Sequence, residues 1–450
     1  MKHDSILRFC DRGWTSVLLS FREVGMPRLG PRLGPTLGPK KGPSMAPRTA
    51  PRRGRRSLAG VVAGLGLMAL AGQPALAKDV KICLIAGKTG ALEAYAKQTE
   101  NGFMMGLEYL TQGSNKVGND KLEVIVKDDQ LKPDRGKTLL EECYGDDKAD
   151  LAVGTTGSPV ALAMLPVAEE HKKVLIVEPA VADSITGDKW NRYIFRTGRS
   201  SYQDALAGAA AYPKTGDVAV GMLGLDTAFG RDGVAAFKEA LASIRPNVKV
   251  VAEEYAAGAT ADFAPFAERL FNALKDKPGK KVIGFIWAGP HPMAKFVDMK
   301  PERFGIELAP GGNILPVMNA WKQFAGTEGG IYYYFDFPKN AENDWLKAEY
   351  QKRYGAPPDF FVAGGFAAAS AVVAALKQAG SSDSEKLIAA MEGLTFATPK
   401  GPMTFRKEDH QALQDMYHFR IKKDAKDNDV LELVDTIAAK EMPLPVRTKR

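Results

Sequence analysis

Residues Gly154–Glu170 read GTTGSPVALAMLPVAEE. Five small residues precede a proline, and an apolar-periodic run follows that closes on two acids. The preceding residues, ADLAVG (149–154), form a short apolar strand, so the segment reads as strand, turn and helix. Pro159 suits the first helical turn, where a missing N–H costs nothing, and Ser158 is the expected N-cap. Small side chains leave the backbone N–H groups of the turn approachable, and the helix dipole favours an anionic group there. A turn at the carboxyl end of a strand in an α/β sheet is where such sheets bind ligands.

The same alternation extends both ways. Upstream lie strand VKICLIAG, a helix over 96–110, strand KLEVIVKDD and a helix over 135–144; downstream, a helix over 159–171 leads to strand VLIVEP. The pattern restarts after Arg196: a helix over 203–212, strand DVAVGMLG, a helix over 233–241, strand VKVVAEEY, a helix over 263–274 and strand KVIGFIWAG. Short strands alternating with helices specify an α/β fold with parallel sheets, and two such series imply two similar lobes. Helical stretches at 345–353 and 362–379 follow, then the expected strands GPMTF, MYHFRIK and DVLELV.

A chain of 450 residues exceeds a single compact core. Its +8 formal charge is concentrated at one end. The first 77 residues hold 13 of the 61 Lys/Arg and 3 of the 53 Asp/Glu, which leaves 48 bases against 50 acids in the remainder. Nucleic acid is therefore not an expected partner. The basic segment ends in RRGRRSLAGVVAGLGLMALAGQPALA (52–77), a cationic region, an apolar run and small residues at the end. This is the pattern of a cleaved secretory signal, with cleavage expected after Ala77 and a periplasmic destination. The apolar run is too short and glycine-rich for a spanning helix. The RLGP, RLGP, TLGP repeat between Arg28 and Pro39 is low-complexity, and Met45 is the expected true start. Two cysteines, Cys83 and Cys143, follow the leader; a disulfide and two buried thiols are both open readings.

Reaction chemistry finds little support. The turn AGKTG (86–90) follows a strand, yet Ile82 stands where a P-loop needs its first glycine, and the G-x-G-x-x-G spacing is missing. His171, His291, His410 and His418 form no H-E-x-x-H and no His/Cys cluster of metal spacing. There is no G-x-S-x-G elbow. The expectation is a non-enzymatic protein without metal or cofactor.

The segments GTTGSPVALAMLPVAEEHKKVLIVEPAVADSIT, YIFRTG, DTAFGRDG, GATADFAPFAERL, WAGPHPM and GPMTF, in this order and spacing, resemble the branched-chain amino acid and amide binding proteins of ABC importers, from about Asp79 to about Val434. The resemblance implies a type I periplasmic-binding fold: two doubly wound lobes joined by three crossovers, with a ligand in the cleft. The crossovers would fall near 197–201, 335–340 and 407–412. Lobe I would comprise 78–198 and 339–408, lobe II 199–338 and 409–440, with a leader over 1–77 and a tail over 441–450. The implied partners are a small solute and the permease and ATPase subunits of an importer, with the binding protein a monomer.

The resemblance also implies site residues. The ligand's carboxylate would be held by Ser158 and by main-chain atoms of Ala180 and Ala182 in the PAVA turn. Tyr95, Phe229, Trp287 and Phe361 would line the cleft. Where amino-acid binders carry carboxylates for the ligand's ammonium, this chain places Ser200 and Asn319. An ammonium buried without an acceptor is expensive, so the expected ligand has a carboxylate or amide head and no α-ammonium, such as an aromatic or short-chain organic acid. The alternative is a hydrophobic amino acid with its ammonium on Asp183 or Asp226. A ligand sensor built on the same fold is a second alternative.

Overall fold

In a computed structural model, the structure describes residues 79–309, 311–319 and 325–448. The expected leader, its cleavage point and Met45 lie outside these residues.

The first sheet is built from β1 (Asp79–Ala86), β2 (Lys116–Val117), β3 (Asp120–Asp128), β4 (Leu151–Gly154), β5 (Val174–Val177) and β6 (Ile194–Arg196), in the order β2-β3-β1-β4-β5-β6. All neighbours pair in parallel except the short β2, which runs antiparallel to β3. Helices α1 (Glu93–Leu110), α2 (Pro133–Gly145) and α3 (Ser158–His171) connect successive strands. Chain order reverses between β1 and β4, so a crevice opens there at the strands' carboxyl ends. The GTTGS turn leaves β4 at that place.

After β6 the chain enters α4 (Ser201–Ala210) and a second parallel sheet. This contains β7 (Val218–Leu225), β8 (Val248–Ala256), β9 (Lys280–Ile286) and β10 (Ile306–Ala309), in the order β10-β9-β7-β8. Helices α5 (Ala228–Ile244) and α6 (Ala264–Leu274) cross between strands, and α7 (Met293–Asp298) and α8 (Leu315–Asn319) are short. The reversal here lies between β7 and β9. The expected helix over 233–241 begins five residues earlier, at Ala228.

The chain then runs through β11 (Glu328–Ile331) and back to α9 (Ala341–Tyr354), α10 (Phe360–Ala379) and α11 (Ser384–Met391). A small sheet of β12 (Thr395–Phe396), β13 (Met403–Phe405) and β14 (Ala412–Leu413) leads to β15 (Met416–Lys423) and β16 (Asp429–Ile437), which join β11 in an antiparallel sheet. Arg196 and Gln411 form a parallel bridge, so two of the expected crossover segments lie side by side. The C-terminal segment packs back onto the body: Arg406 donates to the carbonyl of Leu444, and Arg447 pairs with Glu239.

Helix α10 is apolar and long enough to cross a membrane by composition, but it is largely buried within the fold. It packs against α1 at backbone distance. A Cβ on Gly102 would lie 1.9 Å from the Val362 carbonyl oxygen, and one on Gly365 would lie 2.0 Å from that of Thr99. This close approach brings Tyr95 of α1 and Phe361 of α10 to 4.5 Å between ring centroids. Cys83 of β1 and Cys143 of α2 are joined by a disulfide, Cα to Cα 6.1 Å, which resolves the two readings left open above.

Gly102→Val forces the two helices apart. Overpacking of this kind costs about 1–3 kcal/mol, and urea unfolding is expected to show a loss of at least that size; an unchanged midpoint would show that α1 and α10 have slack at this contact.

Candidate functional site

A cavity of about 390 Å³ collects the turns at both reversal points. From the first sheet's side it receives the β4–α3 turn, the loop after β5, Tyr95, and the start of α10; from the second, the loops after β7 and β9, one face of α4, and residues 311–313.

The β4–α3 turn is stitched rather than open. Thr156 Oγ1 accepts from Gly87 N at 3.1 Å, and the Thr155 hydroxyl donates to Asp129. The expectation that Ser158 caps its own helix is corrected: Gly157 is the capping residue and no side chain caps α3. Ser158 is the first helical residue, and its Oγ instead accepts from Val181 N (3.3 Å) and Ala182 N (3.2 Å). Ala180 N donates to the Thr155 carbonyl at 3.2 Å. Of the main-chain atoms of Ala180 and Ala182 expected to contact a ligand, the N–H groups are thus engaged within the protein. Ala182 lies outside the cavity lining, and its carbonyl accepts from the buried Arg196 at 2.7 Å. Gly157 lines the cavity, and its N–H has no protein acceptor among the described residues.

Ser200 and Asn319 lie elsewhere. Ser200 is the N-cap of α4: its Oγ accepts from Gln203 N at 3.1 Å, and the Gln203 side chain returns a bond to Ser200 N. Asn319 is exposed at the end of α8. Neither residue lines the cavity. Of the two carboxylates held in reserve for an ammonium, Asp183 accepts from Tyr202 N away from the cavity, and Asp226 is exposed and paired with Arg231 at 2.7 Å.

The cavity does receive Tyr95, Ser158, Ala180, Phe229, Trp287 and Phe361. The Tyr95 hydroxyl donates to Asn313 Oδ1 and accepts from Gly289 N, both at 3.3 Å, so one phenol on α1 reaches two loops beyond the first sheet. Trp287 Nε1 is consumed by the Pro290 carbonyl at 2.7 Å, which leaves its ring to line the wall. His291 lines the same wall; burial lowers its pKa to about 4, so it is neutral near pH 7.

The principal charge in the lining escaped the sequence reading: Arg199, one residue from Ser200. Its side chain is 12% exposed. Nε lies 3.1 and 3.0 Å from the two carboxylate oxygens of Asp204, and Nη1 lies 3.4 Å from the Pro179 carbonyl. The guanidinium stacks over Tyr332 (4.6 Å) and Phe361 (5.9 Å), and Nη2 has no acceptor among the described residues. Behind Tyr332 sits a buried pair of opposite charges. Burial raises the Glu178 carboxyl and lowers Lys400 to about 8, while each favours the other's ionised form. Asp204 also lines the cavity, and burial raises its carboxyl although Arg199 opposes the shift. Arg199 and the α3 N-terminus are linked through one loop, since Pro179, Ala180 and Val181 bond in turn to Arg199, Thr155 and Ser158. The arrangement presents a cation and a helix N-terminus to a largely apolar cavity with several aromatic walls.

Residues 79–426 match the sequence profile of the periplasmic binding protein family. The chain belongs to that family. Its fold is the type I periplasmic-binding fold, and it is a solute-binding protein of the ABC-transporter class. It is similar to a crystal structure of an ABC-type branched-chain amino acid transporter from Rhodopseudomonas palustris, at 60% identity over 83% of this chain and 100% of that one, with a TM-score of 0.73. A solute-binding protein from R. palustris BisB5, solved in complex with 3,4-dihydroxybenzoic acid, is 28% identical over 80% of this chain and 98% of its own, with a TM-score of 0.69. Leu/Ile/Val-binding protein homolog 6 of Brucella abortus is 26% identical over 80% of this chain and 92% of the relative.

Two outcomes follow from the polar scaffold. Ser158→Ala strands two buried N–H groups, and denaturant unfolding is expected to show a loss of about 1–3 kcal/mol; unchanged stability would mean that Val181 and Ala182 find other acceptors. Burial raises Asp359 to about 6, against acceptor bonds from Leu315 N and Phe360 N. Its neutral form therefore stabilises the fold below about pH 4, and this contribution is lost as pH rises through about 6. The stability of Asp359→Asn relative to the parent should rise by up to about 3 kcal/mol between pH 4 and 7, and a flat difference would contradict the shift.

Proposed function

We propose that the protein captures a small organic acid, a carboxylate on an aromatic or short apolar body, and delivers it to the permease and ATPase subunits of an ABC importer. The observation that carries this reading is Arg199, a guanidinium that lines the cavity against two aromatic rings and keeps Nη2 without a protein acceptor among the described residues. A carboxylate is the group that a planar guanidinium recognises best. The Gly157 N–H at the start of α3 adds a second donor of the same polarity, and Tyr95, Trp287, Phe229 and Phe361 supply faces for an apolar body. The relative with 3,4-dihydroxybenzoic acid bound supports the same class.

The protein performs no bond chemistry in this reading. It works as an exported monomer, its leader removed after Ala77, with lobes at 78–198 with 339–408 and 199–338 with 409–440 closing over the solute. Closure absorbs its backbone change at the crossovers, and binding selects the closed population by differential affinity.

A hydrophobic amino acid is the second reading. Asp204 favours it, because this carboxylate lies beside Arg199 in the same lining and could meet an ammonium, and curated relatives carry Leu/Ile/Val-binding names.

Calorimetry of the ligand-free protein against benzoates, 2-oxo acids, leucine and phenylalanine separates the two. Binding of the acids is expected, together with a loss of about 1.5–3 kcal/mol in Arg199→Lys, which keeps the charge beside Asp204 but loses the planar fork. Sub-micromolar leucine binding with no response to the acids would establish the second reading instead.

A further inference from the structure

The cavity is longer than its polar end requires. Ser201, Asp204, Ala205, Gly208, Ala211 and Tyr212 all line it. These positions repeat at three and four residues, so they form one face of α4 and its terminal turn from end to end. Tyr212 remains on that spiral through its N–H bond to the Ala209 carbonyl at 3.1 Å. The eleven steps from Ser201 to Tyr212 at helical rise span about 16 Å. The channel thus starts beside Arg199 and Asp204 and runs into the second sheet's side of the molecule.

Its far portion is apolar. Met222 of β7, Gly284 of β9 and Phe237 of α5 line it together with the α4 stripe, and Phe237 packs on Gly208, its ring 3.2 Å from where a Cβ there would sit. Tyr212 closes the end: its ring meets Phe237 at 5.9 Å, and its hydroxyl lies 3.9 Å from where a Cβ on Gly284 would sit. That hydroxyl has no protein partner among the described residues. A single-ring acid such as benzoate is far shorter than this channel.

We propose that the solute is an elongated aryl-alkanoic or aryl-alkenoic acid. Its carboxylate lies at Arg199 and the α3 N-terminus, its chain lies along α4, and its distal ring lies between Met222 and Phe237 with a ring hydroxyl in reach of Tyr212. The inference rests on the carboxylate reading above and adds the length and shape of the ligand. Gly208 admits the Phe237 ring, the small residues at 205 and 211 line the cavity on either side of it, and the apolar walls reward burial of each added methylene or ring carbon.

The test is calorimetry of the full chain with benzoate, phenylacetate, 3-phenylpropanoate, 4-phenylbutanoate and 3-(4-hydroxyphenyl)propanoate, alongside the primary amide of each. The expected result is at least a tenfold fall in Kd between benzoate and the phenylpropanoate or phenylbutanoate. Ala205→Leu and Ala211→Phe block the channel at its middle and its end. Each is expected to weaken the long acids at least tenfold more than it weakens benzoate, with thermal unfolding confirming that the variant is folded. A Kd that stays within twofold along the series, or variants that weaken every acid equally, would overturn the channel while leaving the carboxylate head intact. Amides that bind with the same length trend while the acids do not would overturn the head and leave the channel. Leucine binding with no response to any acid or amide would overturn both.

Discussion

A positive charge enclosed in an aromatic cavity is the constraint on which the rest of the site depends. Removing a guanidinium from water is costly unless its donors are met and its charge is balanced. The protein meets most of that demand itself: Asp204 takes Nε, the Pro179 carbonyl takes Nη1, and two ring faces carry the cation. Glu178 and Lys400 lie behind Tyr332, each favouring the other's ionised form. What remains is one guanidinium donor, Nη2, and the helix N-terminus across the Pro179–Val181 loop has the same polarity.

The same economy appears in the backbone. Strand order reverses in each parallel sheet, and both crevices face one cavity. The close helix contact of α1 with α10 then sets how near Tyr95 and Phe361 can come. Strand order places the cavity, and the glycine-lined interface then sets the helix spacing and the ring contact.

The strand and helix alternation was legible in the sequence because each element carries its own period, and the GTTGS turn declared itself by small residues between two such periods. The site was legible only in part. Aromatics at 95, 229, 287 and 361 could be placed by resemblance, and they line the cavity. Arg199 could not be found in this way, because an arginine in TGRSS reads as an ordinary exposed turn residue until α4, α10 and β11 close around it. Ser158 was misjudged for a related reason. A hydroxyl ahead of a helix normally satisfies its own N–H groups, but here a neighbouring loop passes near enough to supply two others. Ser200, chosen for the ligand, proved to have the capping role expected of Ser158. Local patterns say that a hydroxyl will be used; only tertiary approach decides by which donor.

The Cys83–Cys143 link ties a central strand to the helix that follows its neighbour, across 60 residues of chain. Such a tether restricts the denatured ensemble most when the loop is long, and it forms only where thiols can be oxidised. A molecule kept in a reducing compartment would lack that restriction on its denatured ensemble and would unfold, and meet proteases, more often. The covalent link therefore makes the robustness of the protein a function of where in the cell it has matured.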